Sequence, residues 1–253
     1  MKPVLIIRTG RAPARIRARH GDFPQWFQRA ARLPAERVRI VDVAAGEALP
    51  APHLTAGAII TGSGAMVTER LPWSEHTAGW IRQAMDIDLP LFGVCYGHQL
   101  MAHALGGRVD YLPGGREIGT QTITRLVQAA PDDLVDNVAA SFAAHTTHEQ
   151  SVLEPPSGAV LLARSGRDPY QILRYGKHAV STQFHPEFSA EVMRAYVLHK
   201  GAGGTRRELQ QLDVFRGVAA TPEARSLLAR FARRAGWLER PASAAQTARD
   251  GAA

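Results

Sequence analysis

Over its first 105 residues the chain alternates short apolar runs with helical patterns, and that alternation leaves few folds open. Val4–Ile7, Val38–Val43, Ala58–Thr61 and Leu89–Val94 are rich in β-branched and apolar residues, as strands buried on both faces are. Phe23–Arg32 and Ser74–Met85 lie between them and carry apolar residues at helical spacing. Strands separated by helices of this length predict βαβ units, hence an α/β fold with an open, mainly parallel sheet and helices on both faces. Beyond Gly106 the pattern changes. Thr120–Val127 and Ala159–Ala163 read as strands with turn residues close by, so an antiparallel section is expected and the sheet should be mixed. Ala179–Phe184 is a further alternating strand, and Ser189–Leu198 reads as a helix.

With 253 residues the chain can bury one large core, and residues 1–200 are read as that domain. Residues 201–253 are read as a C-terminal helical extension. "GAGG" (201–204) is a flexible break, and "TPEARSLLARFARRAG" follows at 221–236 with Thr221 as a helix cap, Pro222 in the first turn and Glu223 at the positive end of the dipole. Ala224, Leu227, Leu228 and Phe231 share one face, which suits a helix docked on the core. "RPASAAQTARDGAA" (240–253) reads as a loose tail.

The only cysteine, Cys95, stands where the fourth apolar run ends, in "LPLFGVCYGHQL". A free cysteine often packs as a small hydrophobe, but these neighbours point elsewhere. Gly97–Leu105 reads as a helix, so Cys95 falls at a strand-to-helix turn, in a G-x-C-x-G pattern that takes the place of the G-x-S-x-G elbow of hydrolases. The two glycines clear space for a tight turn, and the following helix aims its N-terminal N–H groups at the sulfur. A thiol nucleophile needs a base, which can lie far away in sequence. "VSTQFHPEFS" places His185 at the end of a strand, with Glu187 two residues on and so on the same side of an extended segment. Glu187 could then fix the tautomer of His185, although a surface His–Glu pair would look the same in sequence. Gly62-Ser63-Gly64 follows another strand at its carboxyl end, where an open α/β sheet keeps its ligands. Such a loop can offer backbone N–H groups to an oxyanion. A dinucleotide fingerprint is disfavoured there, because Val67 stands at the third glycine position.

Three motifs in this order resemble the class I (triad) glutamine amidotransferase family, most closely the glutaminase domain of GMP synthase. "PLFGVCYGHQLMAHALGGRV" resembles its nucleophile block, "QFHPEFS" its His-Pro-Glu block and "IITGSGAMV" its oxyanion loop. The resemblance implies a flavodoxin-like architecture, with Cys95 as nucleophile, His185 as acid/base and Glu187 as its orienting carboxylate. It implies an oxyanion hole from the N–H groups of Gly62 and Tyr96, and Gln99 at the amino-acid end of the substrate. "HTTHEQSV" (145–152) is similar to the family's Ser-His-Gly-Asp-x-Val loop, which implies Thr147, His148 and Glu149 as the rest of the substrate site. Glu149 replaces that loop's glycine, Gln150 its aspartate, and Gly64 the proline of the oxyanion loop.

The resemblance implies no cofactor. Cys95-x-x-His98 with His103 offers one thiolate and an off-register histidine pair, so no metal is expected either. The formal charge of +7 is carried almost wholly by arginine, with lysine only at Lys2, Lys177 and Lys200, and no basic stripe is interleaved with stacking aromatics. Nucleic acid is therefore an unlikely partner. A single cysteine suits a reducing compartment. "MKPVLIIRTGRAPARIR" reads as neither signal peptide nor anchor, and no run is long enough to span a bilayer, so a cytoplasmic location is expected.

Three functions fit. The first is a glutamine amidotransferase that hydrolyses glutamine through a γ-glutamyl thioester and passes ammonia to a separate acceptor synthase, docked on an arginine-rich face that includes 221–236. The second is a γ-glutamyl peptidase or hydrolase with the same triad, toward which the altered 147–150 loop leans. The third, a binding or regulatory module, is opposed by the Cys95, His185 and Glu187 set. No Ser-Gly-Gly-x-Asp-Ser nucleotide loop follows residue 200, so a whole GMP synthase is not expected in this chain. The family pattern places the first reading ahead.

Overall fold

The computed structural model describes residues 1–127, 132, 134–200 and 205–238. In chain order, β1 (Val4–Arg8), α1 (Ala14–His20), α2 (Phe23–Ala31), β2 (Val38–Asp42), β3 (Gly57–Ile60), α3 (Pro72–Asp86), β4 (Leu91–Val94) and α4 (Tyr96–Ala104) build the first part. Then come β5 (Arg108–Tyr111), β6 (Glu117–Arg125), β7 (Ser141–His148), β8 (Gln150–Glu154), β9 (Val160–Ser165), β10 (Ile172–Arg174) and β11 (Ala179–Thr182). Helices α5 (Ala190–Lys200), α6 (Thr205–Arg216) and α7 (Pro222–Arg234) follow. Nine strands form one sheet in the order β2-β1-β3-β4-β11-β10-β9-β6-β7, and β5 and β8 form a separate pair. The pairs from β2 to β11 are parallel and those from β11 to β7 antiparallel. The sheet is thus mixed, with the parallel strands β2, β1, β3, β4 and β11 forming its larger part, as the sequence pattern predicts.

The period of two along β1 explains why helices cover both faces. Val4 and Ile6 join one apolar cluster with Phe27 of α2 and Leu227 of α7. Leu5 and Ile7 join the opposite cluster with Ile81 of α3 and Leu100 of α4. All four β1 residues are fully buried, and each contributes about 1.5–3 kcal/mol by leaving water.

Several boundaries differ from the sequence expectation, for physical reasons. β4 starts at Leu91 and not Leu89, because Pro90 has no N–H and Leu89 donates back to Ala84 at the end of α3. β11 stops at Thr182, where the chain bends; the Thr182 hydroxyl donates to the Phe184 carbonyl, and His185 N–H donates to His145 of β7. β6 begins at Glu117 and ends before Val127. The 145–152 segment, expected as a loop, is two strands, β7 and β8, with Glu149 alone at their corner. Thr221 does not cap α7 with its side chain, and Glu223 of the first turn instead accepts from the N–H of Ala139.

α7 is part of the main core, with Leu227, Leu228, Phe231 and Ala232 buried. Trp237, just past it, is 1% exposed and donates its indole N–H to the Ala56 carbonyl. Gly57 is required there: a Cβ on it would lie 2.5 Å from the Trp237 ring and 2.6 Å from the Pro90 carbonyl. Two arginines of α7 are committed to the fold, Arg225 to the Glu187 carbonyl and Arg230 to those of Leu134 and Asn137. The 201–204 break and the 240–253 tail lie outside the described residues. Among the described residues, no helix is long and apolar enough to cross a membrane.

Candidate active site

Three neighbouring parallel strands bring the sequence motifs together. Ile60 of β3 pairs with Gly93 of β4, and Val94 of β4 pairs with Thr182 of β11. Residues just past these strands, namely Gly62, Cys95 and the approach to His185, therefore leave the same carboxyl edge of the sheet, the edge that holds ligands in open α/β folds.

Cys95 sits at φ 53°, ψ −101°, outside the ordinary regions for an L-residue, between β4 and α4. Its backbone is pinned: the Cys95 N–H donates to the Thr182 carbonyl, and its carbonyl accepts from the Gln99 N–H. The flanking glycines permit this turn by close approach. A Cβ on Gly97 would lie 2.4 Å from the Ile60 carbonyl oxygen, and one on Gly93 would lie 2.6 Å from both the Gly97 carbonyl and Met101 Sδ. Such a strained backbone is the kind of feature that accompanies chemistry.

The loop after β3 is equally fixed. The Thr61 carbonyl accepts from the Gly97 N–H and from the Thr9 hydroxyl, which sets the direction of the Gly62 N–H on the other side of the same trans peptide. The Ser63 hydroxyl donates to the Thr9 carbonyl and accepts from the Ala65 N–H. A Cβ on Gly62 would come within 3.1 Å of Cε1 of His185, so the imidazole lies directly against this loop.

His185 is 2% exposed and Glu187 is 2% exposed. Nδ1–H of His185 donates to Glu187 Oε1 at 2.7 Å, which leaves the buried Nε2 for the Cys95 side. Burial disfavours a charged imidazole here, but the Glu187 carboxylate and Cys95 outweigh it and raise the His185 pKa to about 10. The ring is held flat by Phe188 at a centroid distance of 4.1 Å, with Phe23 on a near-parallel plane at 6.4 Å.

Two clefts open beside Cys95. The smaller one is lined by Met66, Tyr96, Gln99, Arg116, the corner residues 147–150 and Lys200. In it Arg116 binds Glu149 at 2.5 Å, and Lys200 lies 3.7 Å from the same carboxylate oxygen. These cations hold the Glu149 carboxyl below its ordinary range. Gln99 lines this cleft while its amide nitrogen donates to the Gln150 carbonyl at 2.6 Å and to Gln183 at 3.0 Å. His148 is drawn backwards: Nε2 meets Glu117 at 3.0 Å and Nδ1 meets the Gln150 carbonyl at 3.0 Å. The other, larger cleft is lined by His185, Phe23, Arg11, Tyr196 and His199, and it shares Ser63, Gly64, Cys95, Thr147 and Lys200 with the first.

The predicted Gly62, Cys95, Tyr96, Gln99, Thr147, His148, Glu149, His185 and Glu187 thus lie in or directly behind one site. His98 is behind it, fully buried, with Nδ1 paired to the Ser181 hydroxyl; burial and nearby His148 lower its pKa to about 3. His103 points away to Glu75. Arg11, Arg116 and Lys200 carry no local sequence signal, since each reaches the site only through the packing of distant elements.

Residues 37–202 match the family described as glutamine amidotransferase class-I, and the chain belongs to that family. It is similar to gamma-glutamyl peptidase 5 of Arabidopsis thaliana, 28% identical over 48% of this chain and 49% of the peptidase. It is also similar to the GMP synthase (glutamine-hydrolyzing) of Thermomicrobium roseum, 33% identical over 56% of this chain and 25% of the synthase. The chain therefore spans half or less of each of these two relatives. Its fold matches the crystal structure of a glutamine amidotransferase from Thermotoga maritima, with a TM-score of 0.72, 20% identity and coverage of 92% of this chain and 97% of that one.

Proposed function

We propose that this chain hydrolyses a γ-glutamyl amide through Cys95, with glutamine as substrate and ammonia passed to a separate acceptor synthase. The reading rests on one observation: Cys95, the His185–Glu187 pair and the Gly62 loop converge at the carboxyl ends of three adjacent parallel strands. In this mechanism Cys95 attacks as the thiolate, its proton held by His185; Sγ bonds to the δ-carbon of the amide, and the carbonyl oxygen takes up negative charge against the N–H groups of Gly62 and Tyr96. His185, whose raised pKa keeps it protonated at neutral pH, gives its Nε2 proton to the nitrogen as the C–N bond breaks. Glu187 holds the ring throughout. The neutral imidazole then takes a proton from water, whose oxygen attacks the thioester; Sγ departs and glutamate is released. The cleft with Arg116, Glu149 and Lys200 offers both charge signs that an amino acid's α-carboxylate and α-ammonium require, with Gln99 and His148 bracing its wall and Thr147 at its rim.

A γ-glutamyl peptidase is the second reading, favoured by the size of the cleft on the His185 side. Steady-state assays of the purified chain on glutamine and on γ-glutamyl peptides test both. Glutamate release that vanishes in Cys95→Ala, with a γ-glutamyl adduct on Cys95 seen by mass spectrometry of the native chain, is the expected result. No turnover of any γ-glutamyl amide overturns the proposal. An amidotransferase would hydrolyse glutamine slowly alone and faster with its acceptor; kcat/KM near about 10⁴ M⁻¹s⁻¹ on peptides, with glutamine hardly touched, selects the peptidase.

A further inference from the structure

The two clefts beside Cys95 differ in charge, and the position of His185 says which one receives the leaving group. His185 lines the larger cleft and is not among the residues lining the smaller one. The nitrogen that departs must take its proton from His185, so it leaves on the side of the larger cleft. Ammonia needs almost none of that space.

The lining of this second cleft is cationic. Arg11 and Lys200 both face it, beside His199, and none of its lining residues is a carboxylate. Arg11 does touch Asp42 at 2.8 Å, but Asp42 is shared with Arg8, so one carboxylate serves two guanidinium groups and a positive charge is left over. The Arg11 side chain is 53% exposed while Asp42 is 3% exposed, which leaves the guanidinium free to meet a second anion. Lys200 is likewise held loosely, at 3.7 Å from a Glu149 that already has Arg116 at 2.5 Å.

We infer that the Arg11–Lys200 cleft is a leaving-group subsite for an amine that carries a carboxylate, so that the substrates are γ-glutamyl amino acids or short γ-glutamyl peptides with a free C-terminus. This rests on the second reading above. The bond changes are those already given, with an amino acid or peptide amine in place of ammonia. Arg11 acts on binding and not on the reacting atoms, so its effect falls on KM more than on kcat.

The test uses the purified full chain and three substrates: glutamine, a γ-glutamyl dipeptide with a free carboxylate, and the same dipeptide with a C-terminal amide. The free acid is expected to exceed the amide in kcat/KM by about tenfold or more, the worth of one charge-assisted hydrogen bond. Arg11→Met should bring that ratio close to one, chiefly through KM, and Arg11→Lys should restore part of it. Equal turnover of acid and amide by the native chain overturns the inference, as does an Arg11→Met variant that lowers both alike. If Arg11→Met fails to fold, the native acid-to-amide ratio alone decides. Hydrolysis of glutamine alone sinks this inference and leaves the thioester mechanism standing, whereas hydrolysis of none of the three removes both.

Discussion

The five parallel strands and the four antiparallel strands of one sheet bury very different side chains. In β1, β3 and β4 the interior is Val, Leu, Ile, Ala and Phe, and polar residues come only at the carboxyl ends, at Thr9, Thr61 and Cys95. The antiparallel part instead buries Glu117, His145, His148, Ser165, Asp168 and Gln171. There Glu117 accepts from His148, from the Ser165 hydroxyl at 2.6 Å and from Gln171 at 2.8 Å, while Asp168 accepts from Ser151 at 2.5 Å and from the Tyr170 N–H. One part gains its stability from area removed from water, and the other holds its shape by satisfying polar groups. The division has a functional sense. The apolar part sets the nucleophile on a rigid edge, and the polar part lies behind the Thr147–Gln150 corner that forms the wall of the smaller cleft.

The largest expected effect lies on the parallel side. Cys95→Ala should reduce turnover to background, a loss on the order of 10⁶ if the nucleophile acts as in other triads, while thermal unfolding stays close to that of the native chain. Native Cys95 should react with iodoacetamide, and a bound γ-glutamyl compound should protect it. A thiol that reacts only after unfolding would return Cys95 to the role of a packing residue. Next in size is Glu187→Gln, with a loss of about 10²–10⁴ in kcat. The Glu187 carboxylate helps to raise His185, so the same variant should lower the His185 pKa from about 10, which an NMR titration of its ring would follow. Loss of activity with an unmoved titration would show that Glu187 does not act through His185.

The contrast between the two parts predicts unequal costs for small changes. Glu117→Gln puts an amide where His148, Ser165 and Gln171 all meet carboxylate oxygens, so a buried hydrogen bond is lost at a cost of about 1–3 kcal/mol. Ile6→Val, deep in the parallel part, should cost about 0.5–1.5 kcal/mol. Asp168→Asn should be milder than Glu117→Gln, because burial already raises the Asp168 pKa and penalises its charged form. Urea unfolding of the three variants ranks them. Should Ile6→Val prove the most damaging, the polar cluster is not what holds the antiparallel part.

The same division decided what could be read from the sequence. β1, β3, β4 and α4 were legible because apolar runs, glycines and the lone cysteine coincide there. β7 and β8 resemble a loop in sequence, since the buried His145, Thr146, His148 and Gln150 do not look like core residues. His148 and the Gln150 amide nitrogen bond instead to Glu117 and Thr68, which are distant in sequence. β5, β10, α1 and α6 leave little trace in the sequence either: three-, four- and seven-residue elements carry too little periodicity, and the twelve residues of α6 begin Thr205-Arg206-Arg207-Glu208, a strongly charged opening. His185, Glu187 and the Gly62 loop were legible as motifs. The clefts were not, because Arg11, Arg116 and Lys200 come from three separate parts of the chain and acquire meaning only when folding places them around Cys95.

A gradual loss of stability in acid is expected as well, and it comes from histidines where the two parts meet. His98 on α4 and His145 on β7 are both fully buried. Burial, then the charges of His148 for the former and of His185 and Arg194 for the latter, lower their pKa values to about 3 and about 4. Both stay neutral in the folded chain, while in the unfolded chain each protonates near pH 6.5. Their contribution is therefore complete above pH 6.5. It declines as the pH falls from there towards 4 for His145 and towards 3 for His98, with a slope of up to about 1.4 kcal/mol per pH unit for each group. The raised pKa of Asp168 works against this trend, because its folded form accepts a proton more readily than its unfolded form. Urea midpoints measured between pH 7 and pH 4.5 should fall steadily. His98→Asn, which can still bond the Ser181 hydroxyl, should flatten that fall even if it lowers stability at pH 7. A variant with an unchanged acid slope would mean that His98 takes up its proton in the folded chain as readily as in the unfolded one.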